Sequence, residues 1–272
     1  MRVHHLNCVS GCPLGGLIMD GSSLSLRGRL TSHCLLIEAA DALVLVDTGY
    51  GLRDVADPRS RLHPFFRAHD VRHIVLSHLD FDHAGGLDDF PEANVHMMRA
   101  EERSATAQAT PLDRMRYRPQ QWGNRDRWRT YEADRGETWQ GFSCVRELSG
   151  LDAEIALVPL VGHTLGHAGV AVRRPDDWLL YAADAYFYHE EMHPERPRCT
   201  PGLALYQTMM EKDRGQRLGN QARLRALARQ HQDITVFCAH DVTEFERLSG
   251  QSHRSPVASA TTLDRRLSPT PA

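Results

Sequence analysis

The feature that most constrains this chain is an apolar run, Ile74-Val75-Leu76, that leads into Ser77-His78-Leu79-Asp80-Phe81-Asp82-His83-Ala84-Gly85-Gly86. Consecutive apolar residues fit a buried strand, and paired glycines after a polar stretch fit a tight turn. Two imidazoles and two carboxylates therefore leave one strand end within six residues. Neutral His and ionised Asp are good ligands for divalent first-row metals, so such a strand end is a way to build a metal site. The alternative is a polar loop in which His and Asp meet by chance. It is disfavoured because residues of the same types stand at later strand ends: Gly162-His163-Thr164-Leu165-Gly166-His167, Ala183-Asp184 and Ala239-His240.

The rest of the chain reads as alternating strands and helices. Residues 32–38 and 42–47 form a β-hairpin pattern, and Val44-Leu45-Val46 is too continuous for a half-exposed strand. Residues 52–70 read as a helix, and residues 73–78 and 94–98 as strands. Residues 155–159, 169–173 and 178–182 give three successive strands. One largely helical stretch, 204–230, follows, with Gly215 and Gly219 as weak points, and 234–238 is a last strand. Residues 99–141 are rich in Arg, Gln and Trp, including Arg114, Arg116, Arg118, Trp122, Trp128 and Trp139. This composition fits a helical insertion or lid. Such a run is more often a solvated helix with aromatic anchors than a surface for anionic ligands or single-stranded nucleic acid.

The totals set outer bounds. A chain of 272 residues with 41% apolar and 25% charged residues suits one large globular domain or two small ones. A net charge of -3 gives no basic field for nucleic acid. Six scattered cysteines read as reduced thiols of a cytoplasmic protein rather than a disulfide framework or zinc ribbon. The N-terminus is no convincing signal peptide, and the absence of a long apolar run argues against a membrane span. No Gly-x-Ser-x-Gly turn and no P-loop occur, so nucleophilic-serine and phosphate-loop chemistry are weak competitors.

Together with Leu45-Val46-Asp47-Thr48-Gly49, the ligand-rich motifs resemble those of the metallo-β-lactamase superfamily, whose signature is His-x-His-x-Asp-His. The five motifs follow the family's order from Asp47 to His240, with Asp80 where the family has its second histidine. The resemblance implies an α/β fold: a four-layer αββα sandwich of two mixed sheets flanked by helices. That domain would span residues 1–250, followed by a loose tail over 251–272. It implies two divalent metal ions, one held by His78, Asp80 and His163, the other by Asp82, His83 and His240, with Asp184 between them. Asp82 would also handle the proton of the nucleophile. Asp47 and His167 would orient the ligands from beneath, and Tyr186, Phe187, Tyr188 and His189 are candidates for the substrate pocket.

By this resemblance the protein is a metal-dependent hydrolase that uses metal-bound hydroxide at a dinuclear site to cleave a small ester or lactone, or else a thioester or amide. The general form is similar to the quorum-signal lactonases, although these place a Tyr where Phe187 stands here. Zinc is the first expectation. A carboxylate at position 80 hardens the site toward iron or manganese. With Asp80, Asp82 and Asp184 ionised, two divalent ions and one hydroxide balance to zero. Two other readings stay open. One is an iron-dependent oxidoreductase or dioxygenase of the same fold; the other is a non-catalytic binding protein. The expected partner is a small-molecule substrate, without nucleic acid or membrane, and proteins of this architecture and size commonly form homodimers.

Overall fold

The computed structural model describes residues 1–40, 42–51, 71–132, 137–145, 148–151 and 153–251. The elements in order are β1 (Arg2–Gly11), α1 (Leu17–Asp20), β2 (Leu30–Glu38), β3 (Leu43–Val46), β4 (Val71–Val75), β5 (Asn94–Met98), α2 (Arg99–Ala107) and α3 (Pro111–Arg116). They continue with β6 (Trp128–Tyr131), β7 (Thr138–Trp139), β8 (Phe142–Ser143), β9 (Ile155–Pro159), β10 (Ala168–Arg173), β11 (Trp178–Tyr181), α4 (Pro201–Met210), α5 (Arg214–Gln230), β12 (Ile234–Phe237) and α6 (Val242–Ser249).

The strands form a six-stranded sheet in the order β1-β2-β3-β4-β5-β6 and a four-stranded sheet in the order β12-β11-β10-β9. Strand periodicity explains how they stack. On β3, Val44 and Val46 enter the core between the sheets, while Leu45 joins the apolar cluster on the other face. On β9 and β10, Ile155, Leu157, Val170 and Val172 face the same inner core, whereas Ala156, Val158 and Ala171 face outward. Both faces are covered, which is why these strands read as continuous apolar runs. Leu224 and Leu227 of α5 cover the outside of the second sheet, and Ala105 of α2 packs with Tyr117 and Trp122 outside the first. The result is helix, sheet, sheet, helix, as the resemblance implies.

Topology gathers the motifs at one edge. β3 and β4 run parallel, as do β11 and β12, and β9 is antiparallel to β10, which is antiparallel to β11. The C-terminal ends of β9, β11 and β12 therefore share one edge of the second sheet, just as those of β3 and β4 share one edge of the first. Asp47, His78, His163, Asp184 and His240 all follow such ends within a few residues.

Two readings need correction, and one helix is added. The 99–141 stretch is not wholly helical, because Trp128–Tyr131 forms β6 and pairs parallel with β5 as the sheet's edge. The 204–230 helix is two helices. The break falls at Glu211, Lys212 and Asp213, where Asp213 caps α5 by accepting from the Gln216 N–H, whereas Gly215 and Gly219 lie inside α5. A further helix, α6, follows His240, capped by Asp241. The expected helix over 52–70 and, from residue 252 on, the expected tail lie outside the described residues. Among the described residues no helix is long and apolar enough to cross a membrane.

Candidate metal centre

Asp47 lies just beyond β3 with φ 54°, a left-handed conformation that Asp tolerates better than most side chains. Its fully buried carboxylate accepts from the Ser77 N–H at 2.8 Å, the Ser77 hydroxyl at 2.6 Å, the Tyr181 hydroxyl at 2.9 Å and the His83 Nδ1–H at 2.7 Å. These bonds fix tautomers. The Ser77 hydroxyl proton goes to Asp47, so its oxygen accepts from His78 Nδ1 at 2.9 Å. His240 Nδ1 donates to the Thr31 carbonyl at 2.5 Å. In His78, His83 and His240 alike, Nε2 is left as the lone-pair nitrogen aimed at the centre.

Two groups of ligand atoms result, His78 with His163 and Asp184, and Asp82 with His83 and His240. Within each group the atoms lie within 4.8 Å of one another. Asp184 joins the groups. Its Oδ1 lies 3.2 Å from His83 Nε2 and 3.1 Å from His240 Nε2, and its Oδ2 lies 3.4 Å from His163 Nε2 and 3.8 Å from His78 Nε2. Asp80 stands beside the first group, with Oδ2 at 3.1 Å from His163 Nε2 and 3.6 Å from His78 Nε2. Asp82 approaches His240 Nε2 at 3.7 Å and keeps the most exposed side chain of the set, at 24%. His167 is not turned toward either group as a ligand. Its Nδ1 donates to the Leu160 carbonyl at 3.0 Å and its Nε2 accepts from the Asp184 N–H at 3.0 Å, so it holds the backbone that carries Asp184.

The electrostatics call for positive charge. Burial pulls the pKa values of His83 and His240 down, but Asp184 and Asp82 outweigh it and leave both above the ordinary imidazole value. Burial raises the carboxyl of Asp184, and His240 with His83 outweigh it and hold it well below the usual carboxylate range. His78 Nε2 and Asp184 Oδ1 are buried without a hydrogen-bond partner. An orphaned buried polar atom costs about 1–3 kcal/mol. Lone-pair nitrogens facing carboxylate oxygens repel unless a cation lies between them, so the donor set fits divalent metal ions in chemistry as well as in placement.

Two residues that pattern reading did not single out support the centre. Glu101, wholly buried in the first turn of α2, accepts from the Leu79 N–H at 3.0 Å, the Thr164 hydroxyl at 2.5 Å and the Gly166 N–H at 3.1 Å. It thereby ties the ligand loop of one sheet to that of the other. Gly166 is required there, since a Cβ would lie 2.0 Å from the Glu101 nitrogen. Gly162 is required as well, with φ +147° and Arg217 packed against it. Its carbonyl accepts from the Lys212 and Asp213 N–H groups, so the break between α4 and α5 holds the His163 loop. The second residue is Arg116, expected on a solvated helix and instead fully buried beside Asp80 and His163.

A cavity of about 390 Å³ adjoins His240, lined by Phe187, Tyr188, Leu203, Asp20, Arg29 and Asp241 among others. Phe187 stacks on His240 with ring centroids 5.0 Å apart, and Tyr188 is on the cavity wall. Tyr186 and His189 are not on that wall. His189 donates to Asp241 at 2.8 Å, and Tyr186 is buried in the outer core of the second sheet with its hydroxyl donating to Glu244 at 2.9 Å. Tyr186 follows the short turn Ala183–Ala185, and its ring packs with the outer cluster rather than toward His240. Among the unassigned histidines, His4 pairs with Glu38, His5 with His33, and His193 is exposed.

Glu244 gives a pH prediction. Burial, with Asp241 second, pushes its carboxyl up to about 7 from the ordinary 4.5. The folded state then holds a proton that the unfolded chain releases earlier, so this group's stabilisation is full below about pH 4.5 and is lost as pH rises through about 7. Glu244→Gln is expected to remove this dependence. Its unfolding free energy relative to the parent should rise by about 1–3 kcal/mol between pH 5 and pH 8 in urea titrations. A constant difference across that range would contradict the assignment.

Residues 27–240 match the family model of the metallo-beta-lactamase superfamily. A probable metallo-hydrolase of Mycobacterium bovis is 38% identical over 263 residues, spanning 89% of this chain and 80% of its own. A probable metallo-hydrolase of Mycobacterium tuberculosis matches to the same extent, at 38% identity with 89% and 80% covered. Among solved structures, a quorum-quenching N-acyl homoserine lactone hydrolase superposes with a TM-score of 0.64 at 19% identity, covering 89% of this chain and 93% of that one. AidC, a dizinc quorum-quenching lactonase, superposes with a TM-score of 0.60 at 16% identity, covering 88% and 87%. At such identities these structures speak for the fold. The strand-end motifs, the sandwich and the family match agree, and the chain belongs to the metallo-beta-lactamase superfamily.

Proposed function

We propose that this metallo-hydrolase cleaves a small ester or lactone at a dinuclear centre, with zinc as the first expectation. The observation that carries the reading is Asp184, whose two oxygens face the two ligand groups separately, at 3.1–3.2 Å on one side and 3.4–3.8 Å on the other. His78, His163 and Asp80 would hold one cation, Asp82, His83 and His240 the other. Cations bound there supply Lewis acidity and bring the pKa of a water into the neutral range. The chain's own residues do the rest. Asp82 is the most open carboxylate of the set and is placed to orient the nucleophile and take its proton. Phe187 packs against His163 and His240 and excludes water from that side. The adjoining cavity, about 390 Å³, has the size of a small-molecule site. The fold neighbours that hydrolyse acyl homoserine lactones make a lactone the first substrate to try. None of the six cysteines is in a disulfide, which fits a reducing, cytosolic setting.

A second reading rests on Asp80. A carboxylate oxygen beside two imidazoles, as at Asp80, His163 and His78, is a donor set that suits iron as well as zinc. Elemental analysis of protein purified without added metal separates the two. About two zinc ions per chain, with lactone or ester hydrolysis undiminished in anaerobic buffer, is the expected result. Iron together with oxygen consumption would replace hydrolysis by oxidation. Cellular function that survives Asp82→Ala and His83→Ala would replace both by a binding role.

A further inference from the structure

Arg116 is the last residue of α3, and none of its side chain is exposed. Two of its donors serve to hold it. Nη1 donates to the His163 carbonyl at 2.9 Å and Nη2 to the Met210 carbonyl at 2.8 Å. The backbone also fixes it, because Tyr117, the next residue, forms an isolated antiparallel bridge with Asp80. The guanidinium is thus delivered to the centre, with Nε 3.4 Å from Asp80 Oδ1 and Nη2 3.5 Å from His163 Nε2. Asp80 is split between two neighbourhoods, Oδ1 toward Arg116 and Oδ2 toward His78 and His163. Arg keeps its charge wherever it is buried, and a buried cation needs a partner.

We propose that Arg116 is a positioning residue for the candidate centre and forms, with Asp80, one net-neutral unit at position 80. The pair carries the same charge as a single neutral imidazole, so the first ligand group keeps the charge it would have with His at that place. This rests on the two groups being metal sites. Two consequences follow. First, the charge sum made from Asp80, Asp82 and Asp184 alone omits a cation. With Arg116 counted beside Asp80 and the buried Asp47 carboxylate counted beside His83, two divalent ions and one hydroxide again balance to zero. Second, neither residue can change alone. Asp80→His leaves an unpaired buried guanidinium 3.5 Å from His163 Nε2, which repels a cation there.

The test measures cation affinity rather than turnover. Cobalt(II) and zinc are titrated into chelator-stripped protein, with bound metal counted by elemental analysis and the cobalt d–d spectrum recorded. The proteins are the parent, Asp80→His, Arg116→Gln, Arg116→Lys, and Asp80→His combined with Arg116→Gln or with Arg116→Lys. Asp80→His alone should weaken the first site by about tenfold to a hundredfold, the range of coupling between contacting charged groups. Adding Arg116→Gln should restore affinity to within about threefold of the parent, because a neutral ligand then meets a neutral neighbour. Adding Arg116→Lys should not, since the charge remains. Near-UV circular dichroism shows which variants keep the fold, and the combined variants decide the matter even if Asp80→His alone misfolds. Additive effects, or equal rescue by Gln and Lys, would overturn the pairing while leaving the metal reading intact. Failure of the parent to bind cobalt or zinc would overturn both.

Discussion

Asp184→Ala is expected to cut turnover by about a thousandfold or more and to leave the protein with about one bound metal ion per chain or fewer. One side chain has this reach because of its place between the groups. Oδ1 is within 3.2 Å of both His83 and His240, and Oδ2 is the acidic member of the His78–His163 group. Without it, His83 Nε2 and His240 Nε2 face each other at 3.4 Å with only the more open Asp82 carboxylate beside them, 3.7 Å from His240. The fold should hold, because His167 grips the Asp184 backbone rather than its carboxylate. Asp184→Asn separates charge from shape, keeping the volume while giving up the anion. Elemental analysis and initial rates on the best lactone or ester check the expectation. Two metal ions with a rate within about tenfold of the parent would show that Asp184 is not the link between the sites.

Asp47→Ala is expected to be the most destabilising single change at the centre, by about 3–5 kcal/mol. The carboxylate takes four hydrogen bonds in a fully buried place, and its loss strands the Ser77 N–H and hydroxyl, the Tyr181 hydroxyl and His83 Nδ1. Ala at φ 54° adds backbone strain. Asp47→Asn keeps a side chain that accepts the left-handed conformation and should recover part of the loss. The urea midpoint at constant slope measures both. A loss below about 1 kcal/mol for Ala would mean that water replaces the carboxylate easily. The effect also extends to the ligands, because Asp47 sets the tautomer of His83 directly and that of His78 through Ser77.

The candidate donor cluster was legible because chemistry and periodicity coincided. His78 to His83, His163, Asp184 and His240 each stand where an apolar run ends, and a strand end in this topology points to one edge. Asp47 was legible for the same reason. Arg116 and Glu101 were not. Arg116 stands in a stretch with many arginines, and its burial is decided by the Asp80–Tyr117 bridge, a contact across 37 residues of chain that no local pattern records. Glu101 looks like a solvent-facing helix residue until the Gly166 loop is brought against it. Two misses did carry signals. Asp213 with Gln216, and Asp241 with Glu244, are helix starts in the side-chain-to-N3 pattern and mark α5 and α6. β6 was hidden because Trp128-Arg129-Thr130-Tyr131 lacks the aliphatic run of an inner strand, as suits a sheet edge.

Glu101 decides what holds the rim of the site together. Leu79 belongs to the loop after β4 and Thr164 to the loop after β9, so His78 and His163 arrive from opposite layers of the sandwich. A single carboxylate that is no ligand itself stitches those layers together at the rim. The rim is therefore held by the chain's own contacts, unlike small zinc modules, in which the ion gathers a chain that has no shape without it.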